Sequence, residues 1–224
     1  YGYTLSGVVA NGNGKDGQAL VLYSAGMTVK DLHLNVNIDA GTNSYVAGFL
    51  YKNVSGATFE NCSVEGVIKD AGADTKAHSA FMGGLFGWAG IAEGSKLIVK
   101  NCTSKVNIEV KGFSNNLRCL IDNIGSGDVE MTGCTAEGTI TAGVQVGGVV
   151  GLMEKSFGTY TDVTSKVTIN CAAKNYVGGI VGRMSTADKF ISFTDCHYEG
   201  ELAGGSSIAG IIGAPAAGVD FIGC

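Results

Sequence analysis

Short apolar runs built on glycine pairs recur along the chain. Each is followed by a polar loop and then a second apolar run that ends in an acidic, amide or glycine residue and a cysteine. VGGVVG begins at Val146, VGGIVG at Val177, MGGLFG at Met82, VAGFLY at Val46, LRCLID at Leu117 and IAGIIG at Ile208. The second run appears as FENCSVEGVI, VKNCTSKVNI, MTGCTAEGTI and YTDVTSKVTI. These runs are short, β-branched and alternating, which is the period of a strand and not of a helix. The cysteine position is filled by Tyr3, Leu32, Cys62, Cys102, Cys134, Val163, Cys196 and Cys224, about thirty residues apart. Self-similarity at that period marks a solenoid. Leucine-rich repeats share the period, but their leucine consensus is missing. The predicted fold is therefore all-β: a right-handed, single-stranded parallel β-helix over residues 1–224, of about seven coils. At a rise of about 4.8 Å per coil it would be roughly 34 Å long.

Equivalent residues on successive coils should stack in columns, each with one environment. Three positions before the cysteine stand Val29, Phe59, Val99, Met131, Tyr160, Phe193 and Phe221, all bulky and apolar. Six positions after it stand Ile38, Ile68, Ile108, Ile140, Ile169 and Leu202. Both columns are predicted to point inward. The residue before the cysteine is Asp31, Asn61, Asn101, Gly133, Asp162, Asp195 or Gly223, types that favour turns and left-handed backbone, so the coil should bend there. Three places after the cysteine, Glu65, Lys105, Glu137, Lys166 and Glu199 alternate in sign and predict a charge ladder. The glycine blocks leave one question open. Arg118 and Asp122 at the second and sixth places suggest that this face meets water. Strict alternation would then expose the fourth place, Phe49, Leu85, Leu120, Val149, Ile180 and Ile211, as a docking surface. The competing reading is that the glycines form a bulge or bend that turns the fourth place inward.

Thirty-six glycines against one proline, without a Gly-X-Y period, fit tight turns and exclude collagen. A net charge of −5 argues against nucleic acid as a partner. No run of eighteen apolar residues exists, so membrane insertion is not expected. The chain opens on Tyr1 without an initiator Met or signal peptide, which fits either a processed secreted protein or a piece of a longer repeat protein. An open strand edge at either end would invite pairing, so more coils or another chain should cover the ends.

The units VGGVVG and VGGIVG, each followed by a variable loop, together with NCxxxG-like runs, resemble GLUG-type repeats from about Val46 to Cys224; the stretch GQALVLYSAG departs from the pattern. The resemblance implies a secreted or surface-displayed bacterial protein, adhesin-like or attached to a surface protease. It supplies no catalytic or binding residue.

The cysteines Cys62, Cys102, Cys134, Cys196 and Cys224 are read as a ladder of free buried thiols, against disulfides between rungs. Cys119 and Cys171 are read as core filler. No CxxC pair occurs, and His33, His78 and His197 have no ligand spacing, so neither metal nor cofactor is predicted. Acids occur singly; Glu93, Asp122, Asp128 and Glu130 come nearest to the clustered carboxylates that a polysaccharide hydrolase or lyase needs. The expected long loops are Lys69–Phe81, Trp88–Ser95, Lys111–Asn116 and Leu152–Gly158. Trp88 with Tyr51 and Asn123 at equivalent places in adjacent coils forms a candidate sugar-binding face, weighed against burial under a loop. The expected function is a non-catalytic, adhesin-like or structural segment of a secreted or cell-surface protein. It would act as a rigid spacer or bind a host protein, matrix protein or glycan through its loops. The alternatives are a carbohydrate-active β-helix that binds or cleaves polysaccharide, and a filament-forming subunit that self-associates through uncapped ends.

Overall fold

The computed structural model describes residues 3–11, 18–40, 45–53, 55–70, 81–89, 92–110, 116–118, 121–141, 145–171, 176–185, 190–204, 206–216 and 218–224. Among them every strand pairing is parallel and no helix occurs, so the fold is the predicted β-solenoid. Three sheets wrap the core. The first stacks Tyr3–Asn11, Leu32–Asp39, Ser63–Asp70, Thr103–Val110, Thr135–Thr141, Thr164–Cys171 and a last rung split into His197–Tyr198 and Leu202–Gly204. The second is narrow and stacks Tyr45–Ala47, Phe81–Gly83, Asn116–Arg118, Gln145–Gly147, Tyr176–Gly178 and Ser207–Ala209. The third carries two short strands per coil, except for the long central strands Ile121–Thr132 and Val150–Thr161. Counting each coil from its first-sheet strand gives seven levels, of which the inner five are covered on both sides.

The register follows the cysteine alignment. Val29 pairs with Phe59, Phe59 with Val99, Val99 with Met131, Met131 with Tyr160, Tyr160 with Phe193 and Phe193 with Phe221. From Phe59 to Phe193 this column is fully buried. Its aromatic rings stack nearly parallel, with Tyr160 4.9 Å from Phe193 and Phe193 5.5 Å from Phe221. Ile38, Ile68, Ile108, Ile140, Ile169 and Leu202 pair in the same way across the first sheet. Alternation of apolar and polar residues makes this possible: Thr103–Val110 buries every second side chain. Each apolar side chain so buried stabilises the fold by about 1.5–3 kcal/mol.

The corner before each cysteine is left-handed at every coil. Asp31, Asn61, Asn101, Asp162 and Asp195 have φ between 51° and 54°, and Gly133 and Gly223 have φ of 62° and 67°. Such backbone costs most L-residues about 1–2 kcal/mol, and Asn, Asp and Gly least. The chain then turns the cysteine inward, where each thiol donates to the carbonyl two residues back: Cys62 to Glu60, Cys102 to Lys100, Cys134 to Thr132, Cys196 to Thr194 and Cys224 to Ile222, at 3.3–3.5 Å. The amides of the corner form their own ladder, Asn101 donating to Asn61 and Asn61 to Asp31.

The glycine blocks form a bend between the second and third sheets, and the fourth place turns inward. Phe49, Leu85, Val149 and Ile180 are buried and Ile211 packs against the core, so there is no outward apolar ladder; Leu120 lies outside the described residues. Space explains the third-place glycines. A Cβ on Gly148 would strike the Gly179 carbonyl and the Ser165 hydroxyl, and one on Gly179 the Gly210 carbonyl and the Tyr198 ring. The second and sixth places are buried in the inner coils, at Ala47, Gly147, Gly151 and Gly182, and part-exposed only in the last described block, at Ala209 and Gly213.

Candidate functional site

The charge ladder lies in register on the outside of the first sheet. Glu65 pairs with Lys105, Lys105 with Glu137 and Glu137 with Lys166. The ammonium groups of Lys105 and Lys166 lie 3.2 Å from the carboxylates of Glu137 and Glu199. Asn35 heads the column and donates to Glu65 at 3.0 Å. A second ladder, missed in the sequence, runs through Lys30, Glu60 and Lys100 on the third sheet. Exposed pairs of this kind contribute only about 0.2–1 kcal/mol each, so both ladders fix register more than they stabilise.

The six described cysteines are free, and Cys62, Cys102, Cys134, Cys171 and Cys196 are buried, whereas Cys224 is exposed. The adjoining thiol of Cys134, together with burial, pushes the Cys102 thiol up to about 12. Its neighbour Cys102 and burial raise Cys62 as well, and burial pushes Cys196 up to about 11. Thiols held protonated at neutral pH are poor nucleophiles, so these three side chains serve packing. Cys119 lies outside the described residues.

The Trp88 face is only partly assembled. Trp88 ends the strand Phe86–Ala89, half-buried, with Asn123 in register on one side and Lys52, not Tyr51, on the other. Tyr51 is one residue out of step: it is buried, and its ring meets that of Tyr23 edge-on at 5.5 Å. The indole nitrogen of Trp88 is itself buried, so it does not face solvent as a donor to a sugar. His33 and His197 lie in strands, with His33 Nδ1 2.7 Å from the Ser63 hydroxyl. His78, with most of the expected loops 69–81 and 111–116, lies outside the described residues.

A different surface is hollow. On the third sheet, residues 90–95 lie between Ala89 and Lys96 in coil three, whereas only 125–127 lie between their partners Ile124 and Asp128 in coil four. Coil five is equally direct, with 154–156 between Met153 and Phe157. Leu152–Gly158, expected as a loop, is thus part of a twelve-residue strand. Coil six lengthens again, with 185–189 between Met184 and Phe190. Two straight rungs are therefore bracketed by two longer ones. On the coil-three side, a turn closed by Ser95 N–H donating to Ala92 is pinned to the floor by Asp128 N–H donating to Ser95, both at 3.0 Å.

The floor and this turn enclose a cavity of ≈ 380 Å³, lined by Glu93, Ser126, Asp128, Lys155 and Phe157 among others. A second, of ≈ 210 Å³, shares Asp128 and Phe157 and reaches Thr159, Phe190 and Ser192. Lys96, Asp128, Phe157 and Phe190 occupy the same place on coils three to six, six residues before the cysteine position of the next coil. Phe157 is 42% and Phe190 48% exposed, unusual for phenyl rings, which ordinarily lie inside. Lys96 lines the second cavity, and its ammonium, 3.2 Å from Glu130, holds that carboxyl below its usual range. The hollow thus offers the carboxylates of Glu93 and Asp128, the ammonium groups of Lys155 and of ion-paired Lys96, hydroxyls and two phenyl rings. Glu93 and Asp128, singled out in the sequence as isolated acids, meet in one cavity, and Glu130 is not among its lining. Among the described residues no group of three metal-ligating side chains occurs. The chain matches no family model and no curated protein, and no solved structure matches its fold.

Proposed function

We propose that this chain is a non-catalytic, adhesin-like repeat segment of a secreted or cell-surface protein, a rigid stack that holds its ligand in the third-sheet hollow. The observation that carries the reading is the break in pattern at coils three to six. The buried columns repeat a structural role, but here longer coils flank two straight ones, and exposed phenyl rings follow Lys96 and Asp128 in an outer column. Solenoids keep their cores constant and vary their loops, which is where binding is placed. The likeness of the glycine blocks to GLUG-type repeats supports the surface-protein setting. The test is a screen of arrayed matrix proteins and glycans with wild type and Phe157→Asp. A ligand bound by wild type and lost in the variant is expected; one bound equally by both would remove the hollow from the account.

Two observations favour other readings. Glu93 and Asp128 in one cavity suit a carbohydrate-active enzyme, in which paired carboxylates supply acid and base. Turnover of a polysaccharide abolished by Asp128→Asn would replace the binding reading with that one. The first and last described coils expose Tyr3 and Tyr23 at one end and Phe221 and Ile222 at the other, which suits end-to-end stacking of copies. A sedimentation coefficient that stays monomeric as concentration rises would end that alternative.

A further inference from the structure

We infer that the hollow is a binding site for a neutral, extended polysaccharide lying along the solenoid axis across Phe157 and Phe190. The inference rests on the reading of the hollow as the ligand site and adds the ligand's chemical class.

Direction comes from the ladder. Phe157 and Phe190 sit on neighbouring rungs, roughly 4.8 Å apart, so their rings form one apolar platform that runs with the stack. Gly218, the next residue of that column, would place a Cβ only 3.2 Å from the Phe190 ring, so its lack of a side chain leaves the ring uncrowded on that side. A ligand that used both rings would extend past Asp128 towards Glu93 and would need several repeating units. That favours a polymer over a small metabolite.

Chemical class comes from what surrounds the rings. A pyranose has an apolar C–H face and a rim of hydroxyls. The platform suits the face, while Glu93, Asp128, Ser126, Thr159 and Ser192 suit the rim as acceptors and donors. A peptide is less well served. The floor strands Ile121–Thr132 and Val150–Thr161 pair with each other and, on either side of the hollow, with coils three and six, so the stretches without an outer neighbour, 125–127 and 154–157, are too short for a peptide to add a strand of ordinary length.

Neutrality comes from the charges. Glu93 and Asp128 are opposed by Lys155, while Lys96 is engaged by Glu130. The two carboxylates and two lysines balance, so the hollow holds no surplus of positive charge to draw in a polyanion such as a uronate chain, and the chain around it has a net charge of −5.

The experiment is affinity gel electrophoresis of the whole chain in mixed-linkage β-glucan, galactomannan and xylan, with polygalacturonate and hyaluronan as polyanions. Retardation by at least one neutral polymer is expected, weakened about tenfold in Phe157→Ala/Phe190→Ala and less in Asp128→Asn. Thr159→Arg, which fills the hollow from its floor, should abolish it, and a thermal melt of each variant shows that the fold is intact. Should the double variant fail to fold, Thr159→Arg alone decides. Retardation by the polyanions only, or none by the neutral polymers, overturns the inference. Neutral retardation that survives Thr159→Arg overturns both the inference and the placement of the site. A matrix protein bound by wild type and lost in Phe157→Asp, with no glycan retarding the chain, would leave the hollow as the site and refute its polysaccharide ligand.

Discussion

The first and third sheets are built from the same coils yet behave differently along the axis. In the first sheet each rung repeats its neighbour: isoleucine below isoleucine inside, opposite charges outside, and a left-handed corner at the near end. In the third sheet the inner column is as constant, but the outer column six residues before each next cysteine changes from Lys96 and Asp128 to Phe157 and Phe190 within four rungs. Uniform columns show where the solenoid is only being a solenoid. A column that turns from charged residues to exposed phenyl rings while its backbone stays in register marks a surface under another demand.

The contrast is broken most severely from the first sheet. Ile140→Asp would place a charge among fully buried neighbours Ile108 and Ile169, and should leave the chain unfolded or lower stability by more than about 4 kcal/mol in a denaturant titration. Gly148→Ala should cost less, about 1–3 kcal/mol, because its Cβ meets a carbonyl that only a backbone shift can move. Gly94→Ala, where φ is +79° but nothing lies within 4 Å, serves as its control and should lose only about 1 kcal/mol from left-handed strain. Lys105→Glu would put three carboxylates on consecutive rungs with Glu65 and Glu137, and should cost about 0.5–1 kcal/mol, shrinking as salt is raised. Smallest of all should be Phe157→Ala/Phe190→Ala, within about 0.5 kcal/mol of wild type, since neither ring is part of the core. A large loss there would make the two rings structural and remove the contrast between the sheets.

The fold was legible because stacking repeats its constraints. Counting from the cysteine position fixed the register of the Phe59 and Ile140 columns, the left-handed residues and the Glu65–Glu199 ladder, each of which needs the same chemistry at every coil. The Lys30–Glu60–Lys100 ladder was harder to see because the column continues as Thr132, Thr161 and Thr194 and loses its charge. The site was less legible for a physical reason: it departs from the repeat. Tyr51 was aligned with Trp88 through its aromatic type, but the bend at the glycine block puts it one place earlier and inside. Leu152–Gly158 reads as a loop because Glu154, Lys155 and Ser156 interrupt the apolar run, yet pairing with coil four throughout, and with coil six at its two ends, holds it as a strand. The signal that would have found the hollow was available. Phe157 and Phe190 both stand six places before a cysteine position, where other coils have Lys96, Asp128 or glycine.

Hydrogen–deuterium exchange of the whole chain, with and without each neutral polysaccharide in turn, tests the division between a structural sheet and a binding one most directly. Protection confined to residues 92–96, 126–129, 155–159 and 190–192, with the first-sheet strands unchanged, is the predicted result. Protection centred on the first sheet or on Trp88, or none with any of the polymers, would contradict it.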